Sequence, residues 1–200
     1  MKTLKRTVCL LLVTVMAAGI FAGCKKKEKF SHDQMTDLAE EIDLEEADGP
    51  IEFYRAVANT SDGCEAYVTV KNDDAKSLYE TIINRDKHMS SYDISESTWL
   101  YVVDPDEGHY YIALLTFKKP EKAEKFYDEF IDEYAEDGKE AKKSGYTYVL
   151  QSEKGPKSSQ DVAGAYLEDD QVLVIKGNVR DAERLNKVCK SLGIKSPVEG

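Results

Sequence analysis

Three histidines and four cysteines are the side chains of this 200-residue chain best suited to binding a metal or attacking a substrate. His32, His88 and His109 lie far apart, with no pair at the i, i+4 spacing of a helical zinc site. Neither Cys64 nor Cys189 has a second Cys or His at ligand spacing, so no metal and no cofactor are expected. A Cys64 nucleophile would need a neighbouring base, and the residues around it supply none. The chain has no GxSxG elbow, no Gly-rich phosphate loop and no GxGxxG sequence. Each histidine reads as a surface residue. Carboxylates are plentiful, yet spacing alone cannot pair two across a cleft. The expectation is a protein without catalytic residues; the alternative is a cell-envelope hydrolase whose carboxylates come from distant segments.

Acidic turns offer a second kind of chemistry. Asp62, the group Asp104, Asp106 and Glu107, and the group Glu168, Asp169 and Asp170 all fall at expected hairpin tips. Such oxygens suit Ca²⁺, but Asp and Gly also favour turns for backbone reasons alone. Asp104–Gly108 opens like an EF-hand loop and lacks its later ligands. Aromatic residues offer a third. Among 12 tyrosines and one tryptophan, Trp99 and Tyr101 share one side of a strand, and Tyr146 and Tyr148 share one side of another. Tyr54, Tyr67 and Tyr166 also fall in β-prone runs. If helices cover one sheet face, these rings either form a bare face for a glycan, a peptide or a partner protein, or fill the core.

The amino terminus reads as an address. Lys2, Lys5 and Arg6 precede an apolar run from Thr7 to Phe21 of about 15 residues, short of the roughly 20 that span a bilayer. It closes on Phe21-Ala22-Gly23-Cys24. The pattern resembles the lipobox of bacterial lipoproteins, usually Leu-Ala-Gly-Cys, with Phe21 in place of the commonest Leu. The resemblance covers residues 1–24. It implies cleavage before Cys24, acylation of the Cys24 sulfur and nitrogen, and attachment to the lipid bilayer outside the cytoplasm. Two or three acyl chains hold firmly where one does not. Lys2 stands where N-myristoylation needs glycine. Residues 1–23 are thus expected to be a signal peptide, 24–30 a lipidated Cys with a Lys-rich tether, and 31–200 a single domain. Small lipoproteins of Gram-positive bacteria are similar in layout; that likeness carries no functional residue over.

Removing Lys2, Lys5 and Arg6 with the leader takes the net charge from −11 to −14. So acidic a surface repels phosphate backbones, and nucleic acid is not an expected partner. Lys25, Lys26, Lys27 and Lys29 either attract anionic headgroups or serve as a spacer, while the acidic domain is expected to stand off the membrane. With Cys9 removed and Cys24 acylated, Cys64 and Cys189 remain. They form either a disulfide, which an extracytoplasmic compartment permits, or two buried thiols.

The elements that must position these groups read as α+β. An amphipathic helix is expected over 32–46, with Ser31 and Gln34 as a capping box and an end at Gly49-Pro50. Three β-β-α units then follow, with all helices on one face of an antiparallel sheet. Their strand pairs are 51–58 with 65–70, 98–103 with 109–117, and 162–167 with 171–176. Their helices begin at Asp74-Ala75, Lys122-Ala123 and Asp181-Ala182, each with Ala facing inward ahead of a large apolar residue. That shared pattern fits either a repeat or any strand-to-helix junction. An extra strand is expected over 145–151, and a mobile loop at Lys154–Ser159.

Overall fold

The computed structural model describes residues 30–59, 63–84, 89–90, 92–143, 145–155 and 159–199. The leader, Cys24, the tether lysines, Asp62, His88 and residues 156–158 of the expected 154–159 loop lie outside the described residues. In chain order the elements are α1 (His32–Glu41), β1 (Glu45–Glu46), α2 (Pro50–Ala58), β2 (Cys64–Lys71), α3 (Asp73–Ile82), β3 (Ile94–Asp104) and β4 (Gly108–Phe117). Then come α4 (Pro120–Tyr134), β5 (Lys139–Lys143), β6 (Tyr146–Lys154), β7 (Gln160–Glu168), β8 (Gln171–Val179), α5 (Glu183–Ser191) and a 3-10 turn at Pro197–Glu199. The eight strands form one sheet in the order β1-β2-β3-β4-β8-β7-β6-β5, antiparallel except where β1 joins β2.

Helices cover both faces of this sheet, which corrects the one-sided arrangement expected. Phe53 of α2, Leu78 and Tyr79 of α3, and Phe126 and Phe130 of α4 share one core with Val68, Trp99, Leu115 and Val174. Met35 and Leu38 of α1 and Leu185, Val188 and Cys189 of α5 share a second core with Leu100, Ile112, Leu173 and Ile175. We call these face A and face B. The reason lies in the central strands. Ile112-Ala113-Leu114-Leu115 and Val172-Leu173-Val174-Ile175 are apolar at every position, and all eight residues are buried. Alternation cannot leave one side polar in such a run.

The first unit is also corrected. Residues 51–58 form a helix, because Pro50 occupies its first turn with φ preset for helix and removes no needed N–H donor. Gly49, at φ 90°, turns the chain into it. Phe53 is the buried anchor of α2, while Ile51 and Tyr54 face outward at 67% and 46% exposure. The hairpins β3–β4 and β7–β8 are followed by α4 and α5, but these two helices lie on opposite faces. An Ala-x-x-large pattern fixes which side of a helix is buried, and carries no information about which side of the sheet it covers.

Helix α1 stops at Glu41, short of residue 46. Asp43 takes φ 62°, Leu44 turns into the face B core, and Glu45–Glu46 pair with β2. Carboxylates crowding a helix C-terminus oppose its dipole, which favours this early end. Ser31 makes no side-chain cap, and the Gln34 amide donates instead to the Ser191 carbonyl at 3.3 Å. Both sheet borders are short and polar: β1 has two residues, and β5 is Lys-Glu-Ala-Lys-Lys. Strand β5 has no apolar alternation and was not expected.

Candidate functional site

The expected aromatic residues divide between the two faces. The Trp99 side chain is fully buried on face A, where its indole N–H donates to Ser97 Oγ at 2.9 Å. Tyr101 lies on the same side and is half-buried. Tyr146 and Tyr148 share face B, where their rings pack at 5.6 Å; Tyr148 stacks on Tyr166 at 6.2 Å, and Phe30 closes on Tyr146 at 5.8 Å. A single bare face carrying all four rings does not exist, because the helices cover both sides. Trp99 and Tyr146 are core residues.

The two cysteines are likewise separated. Cys64 begins β2 in the face A core and Cys189 sits on α5 in the face B core; both are free and buried, so the candidate disulfide is not formed. Burial, followed by Glu65 and Glu45, raises the Cys64 pKa, and burial pushes Cys189 up to about 12. Neither thiol ionises readily, which makes each a poor nucleophile.

His32 is part-buried, unlike the surface residue expected. Its Nδ1 and Nε2 each lie 2.8 Å from a hydroxyl, Thr98 Oγ1 and Thr116 Oγ1 respectively. Thr69 meets Thr98 at 2.8 Å, and the Gln171 amide donates to Thr116 at 3.2 Å, completing a polar row across β2, β3, β4 and β8 beneath α1. Thr98 is fully buried, which closes it to any substrate. His109 is exposed at the start of β4. In the β3–β4 turn, the Asp104 carboxylate accepts the amides of Asp106 and Glu107 at 2.7 and 2.8 Å, so its oxygen serves the turn itself. Among the described residues no group of three or more His, Cys, Asp or Glu side chains could hold a metal ion.

What the fold does leave open is half of face A. Along β4, Leu115 and Ala113 are fully buried, Tyr111 is half-buried and His109 exposed. Burial also loosens from Trp99 to the half-buried Tyr101 and Val103, and from Val174 to the half-buried Lys176 and Asn178. Register then aligns two rows of side chains. One is Ala66, Tyr101, Tyr111, Lys176, Ala163 and Gln151; the other is Cys64, Val103, His109, Asn178, Asp161 and Glu153. The end of α4 contributes Tyr134, whose ring centroid lies 3.5 Å from Lys176 Nζ and whose hydroxyl donates to the Ile83 carbonyl.

Three hollows follow this strip. The largest, about 610 Å³, lies among Arg55, Cys64, Glu65, Val103 and Asp104. A second, about 350 Å³, lies among His109, Tyr134, Gln151, Asp161 and Lys176. A third, about 240 Å³, shares Val103 and Asp104 with the first and His109 with the second. Asn178 is fixed by donating to Asp161 at 2.7 Å and to Ser159 at 3.2 Å. Burial lowers the Lys176 pKa, with Glu133 opposing it. An aromatic floor with amide, carboxylate and ammonium groups at its rim can hold a flat ligand and orient it by hydrogen bonds.

Carboxyls with raised pKa values are not gathered here. Burial, opposed by Arg184, raises Glu107 in the β3–β4 turn; burial, then Asp132 and Glu140, raises Asp128 on α4. Tyr111, Tyr134, Lys176, Asn178 and Asp161 were missed from sequence. The available signal was Lys176, a charge standing in register with the buried side of an otherwise apolar strand.

No protein-family model matches the sequence, and no curated protein is similar to it. A solved structure similar to it is the extracellular domain of PknH from Mycobacterium tuberculosis, at 10% identity and a TM-score of 0.41, covering 69% of this chain and 86% of that chain. Among the described residues no helix is long and apolar enough to cross a membrane.

Proposed function

We propose that this chain is a bacterial lipoprotein, held at the outer side of the cell membrane by acylated Cys24, whose folded domain captures a glycan or an envelope protein and catalyses nothing. The basic start, the short apolar run and the Phe21-Ala22-Gly23-Cys24 sequence support the anchor. Labelled palmitate should enter the wild-type protein and be absent from Cys24→Ser; equal labelling of both would remove the anchor.

The open half of face A carries the binding reading. A strip crossing six strands, floored by Tyr101 and Tyr111 and rimmed by Asn178, Asp161 and Lys176, is unusual in a sheet otherwise covered on both sides. The non-catalytic reading is supported by the buried thiols, which are poor nucleophiles, and by the separation of Glu107 and Asp128, the two carboxyls with raised pKa values. Purified wall glycan and solubilised envelope proteins, offered separately, should be retained by the wild type and lost about tenfold or more in Tyr111→Ala, as expected for an aromatic anchor. Asp161→Ala alters the rim without touching the core and should weaken retention at unchanged Tm. Undiminished retention by both variants would show that the strip is not the binding surface.

A further inference from the structure

Face B carries a hollow of opposite character. Lys143 from β5, Lys190 from the last turn of α5 and Lys195 beyond it line a space of about 470 Å³, with Glu199 as its carboxylate and the buried Cys189 beneath. All three lysines are exposed. Lys143 Nζ donates to the Gly193 carbonyl at 3.5 Å and Lys195 Nζ to the Glu199 carbonyl at 3.2 Å, so neither ammonium is neutralised by a carboxylate in these contacts. Two of the hollows on face A have the reverse balance: Asp43, Glu45, Glu65 and Asp104 against Arg55 in one, and Glu133, Glu153 and Asp161 against Lys176 in the other. In a chain of net charge −11, this hollow on face B sets three ammonium groups against one carboxylate.

That place is where the tether enters the fold. Lys143 pairs across the sheet with Tyr146, and Tyr146 packs against Phe30, the first described residue. Gln34, in the first turn of α1, donates to Ser191 at the end of α5, one residue from Lys190. Immediately before Phe30 the sequence reads Cys24-Lys25-Lys26-Lys27-Glu28-Lys29. The acidic hollows lie toward the opposite strand ends: Gln151 and Glu153, which line the nearer one, stand five and seven residues along β6 from Tyr146, roughly 17–23 Å.

We infer that Lys143, Lys190 and Lys195 form a docking surface for the anionic phospholipid headgroups of the membrane that holds Cys24, seating the domain with its face A strip directed outward. The inference rests on the lipoprotein reading and reverses the expectation that the acidic domain stands off. Charge complementarity selects the occupant: six residues of chain, at most about 20 Å when extended, separate Cys24 from Phe30, short enough to bring the ammonium cluster to the headgroup phosphates of the same membrane.

The test uses the processed protein as recovered from cell membranes, with vesicles of phosphatidylcholine, with or without phosphatidylglycerol. Flotation reports attachment, and amine acetylation mapped by mass spectrometry reports which lysines are covered. Acetylation of Lys143, Lys190 and Lys195 should fall about fivefold on adding phosphatidylglycerol, return at high salt, and remain unchanged at Lys154 on the far pole. A Lys143→Gln, Lys190→Gln, Lys195→Gln variant should still float, yet lose the phosphatidylglycerol-dependent protection of Lys187, one turn before Lys190 on α5. Flotation with both vesicle types but equal acetylation would overturn the docking and leave the anchor. Flotation on phosphatidylglycerol alone, with the three lysines protected, would overturn the anchor and leave the docking. No flotation overturns both. Equal protection by inorganic phosphate at matched ionic strength would make this a small-anion pocket and overturn the membrane assignment.

Discussion

His32 is held by two hydroxyls at once, a geometry suited to the neutral ring, which has one nitrogen to donate and one to accept. Burial lowers its pKa below 6.5, with Glu96 opposing and Lys71 assisting. Below pH 6.5 the unfolded chain therefore takes up a proton that the folded chain refuses. Stability should be full above that value and fall as the pH drops toward the lowered folded pKa. His32→Gln should remove that slope, measured as denaturation midpoint against pH, and cost about 1–3 kcal/mol at neutral pH by leaving hydroxyls poorly paired. Glu129 titrates lower still. Burial alone would raise it, but the amide and hydroxyl of Ser90, with Tyr92 and Lys125, hold it down at about 2. Glu129→Gln should therefore cost stability at neutral pH and little near pH 2, as thermal melts would show. Neither constraint was legible in sequence: the threonines around His32 are 66 and 84 positions away, and Ser90 is 39 from Glu129.

At the scale of elements, the chain announced more of itself. Pro120 with Ala123, Phe126, Tyr127, Phe130, Ile131 and Tyr134 marks α4; Ala123, Phe126, Tyr127 and Phe130 are buried, and Ile131 and Tyr134 are half-buried at its end. Asp104 and Gly108 mark the β3–β4 turn. Gly108 has φ 104°, and a Cβ there would stand 2.2 Å from the Asn178 carbonyl. Gly108→Ala should cost about 2 kcal/mol or more, combining left-handed strain with displacement of β8. Residues 51–58 misled because a run of β-prone residues looks alike in strand and helix, and Pro50 decides between them. Phe53→Ala should cost about 3–5 kcal/mol in denaturant unfolding, against under 1 for Ile51→Lys. As a strand, the segment would place Ile51 on the same side as Phe53, and both substitutions would hurt.

For the whole molecule, the α+β class followed from alternating strands and amphipathic helices, whereas the covering of both faces did not. The clue was present in Ile112–Leu115 and Val172–Ile175, whose unbroken apolar character leaves no polar side. The strip of Tyr101, Tyr111 and Lys176 was hidden for another reason: it depends on register between β3, β4 and β8 and on where α3 and α4 end, both of which are long-range. Because the same strands supply both cores, unfolding should be one cooperative event. Trp99 fluorescence, reporting face A, and far-ultraviolet dichroism should give coincident midpoints; separated midpoints would mean that the faces melt independently.

The sheet's borders bear on how copies of this protein behave when crowded. A strand of two residues ends one side, and Lys139, Lys142 and Lys143 end the other. Neither offers a long unpaired ladder to a neighbouring chain, and like charges push copies apart at the longer border. Lys139→Thr with Lys142→Thr should convert that border into a template for intermolecular pairing, seen as concentration-dependent aggregation that the wild type resists. High packing density is thus tolerated through repulsion at a margin, a safeguard that costs the interior nothing.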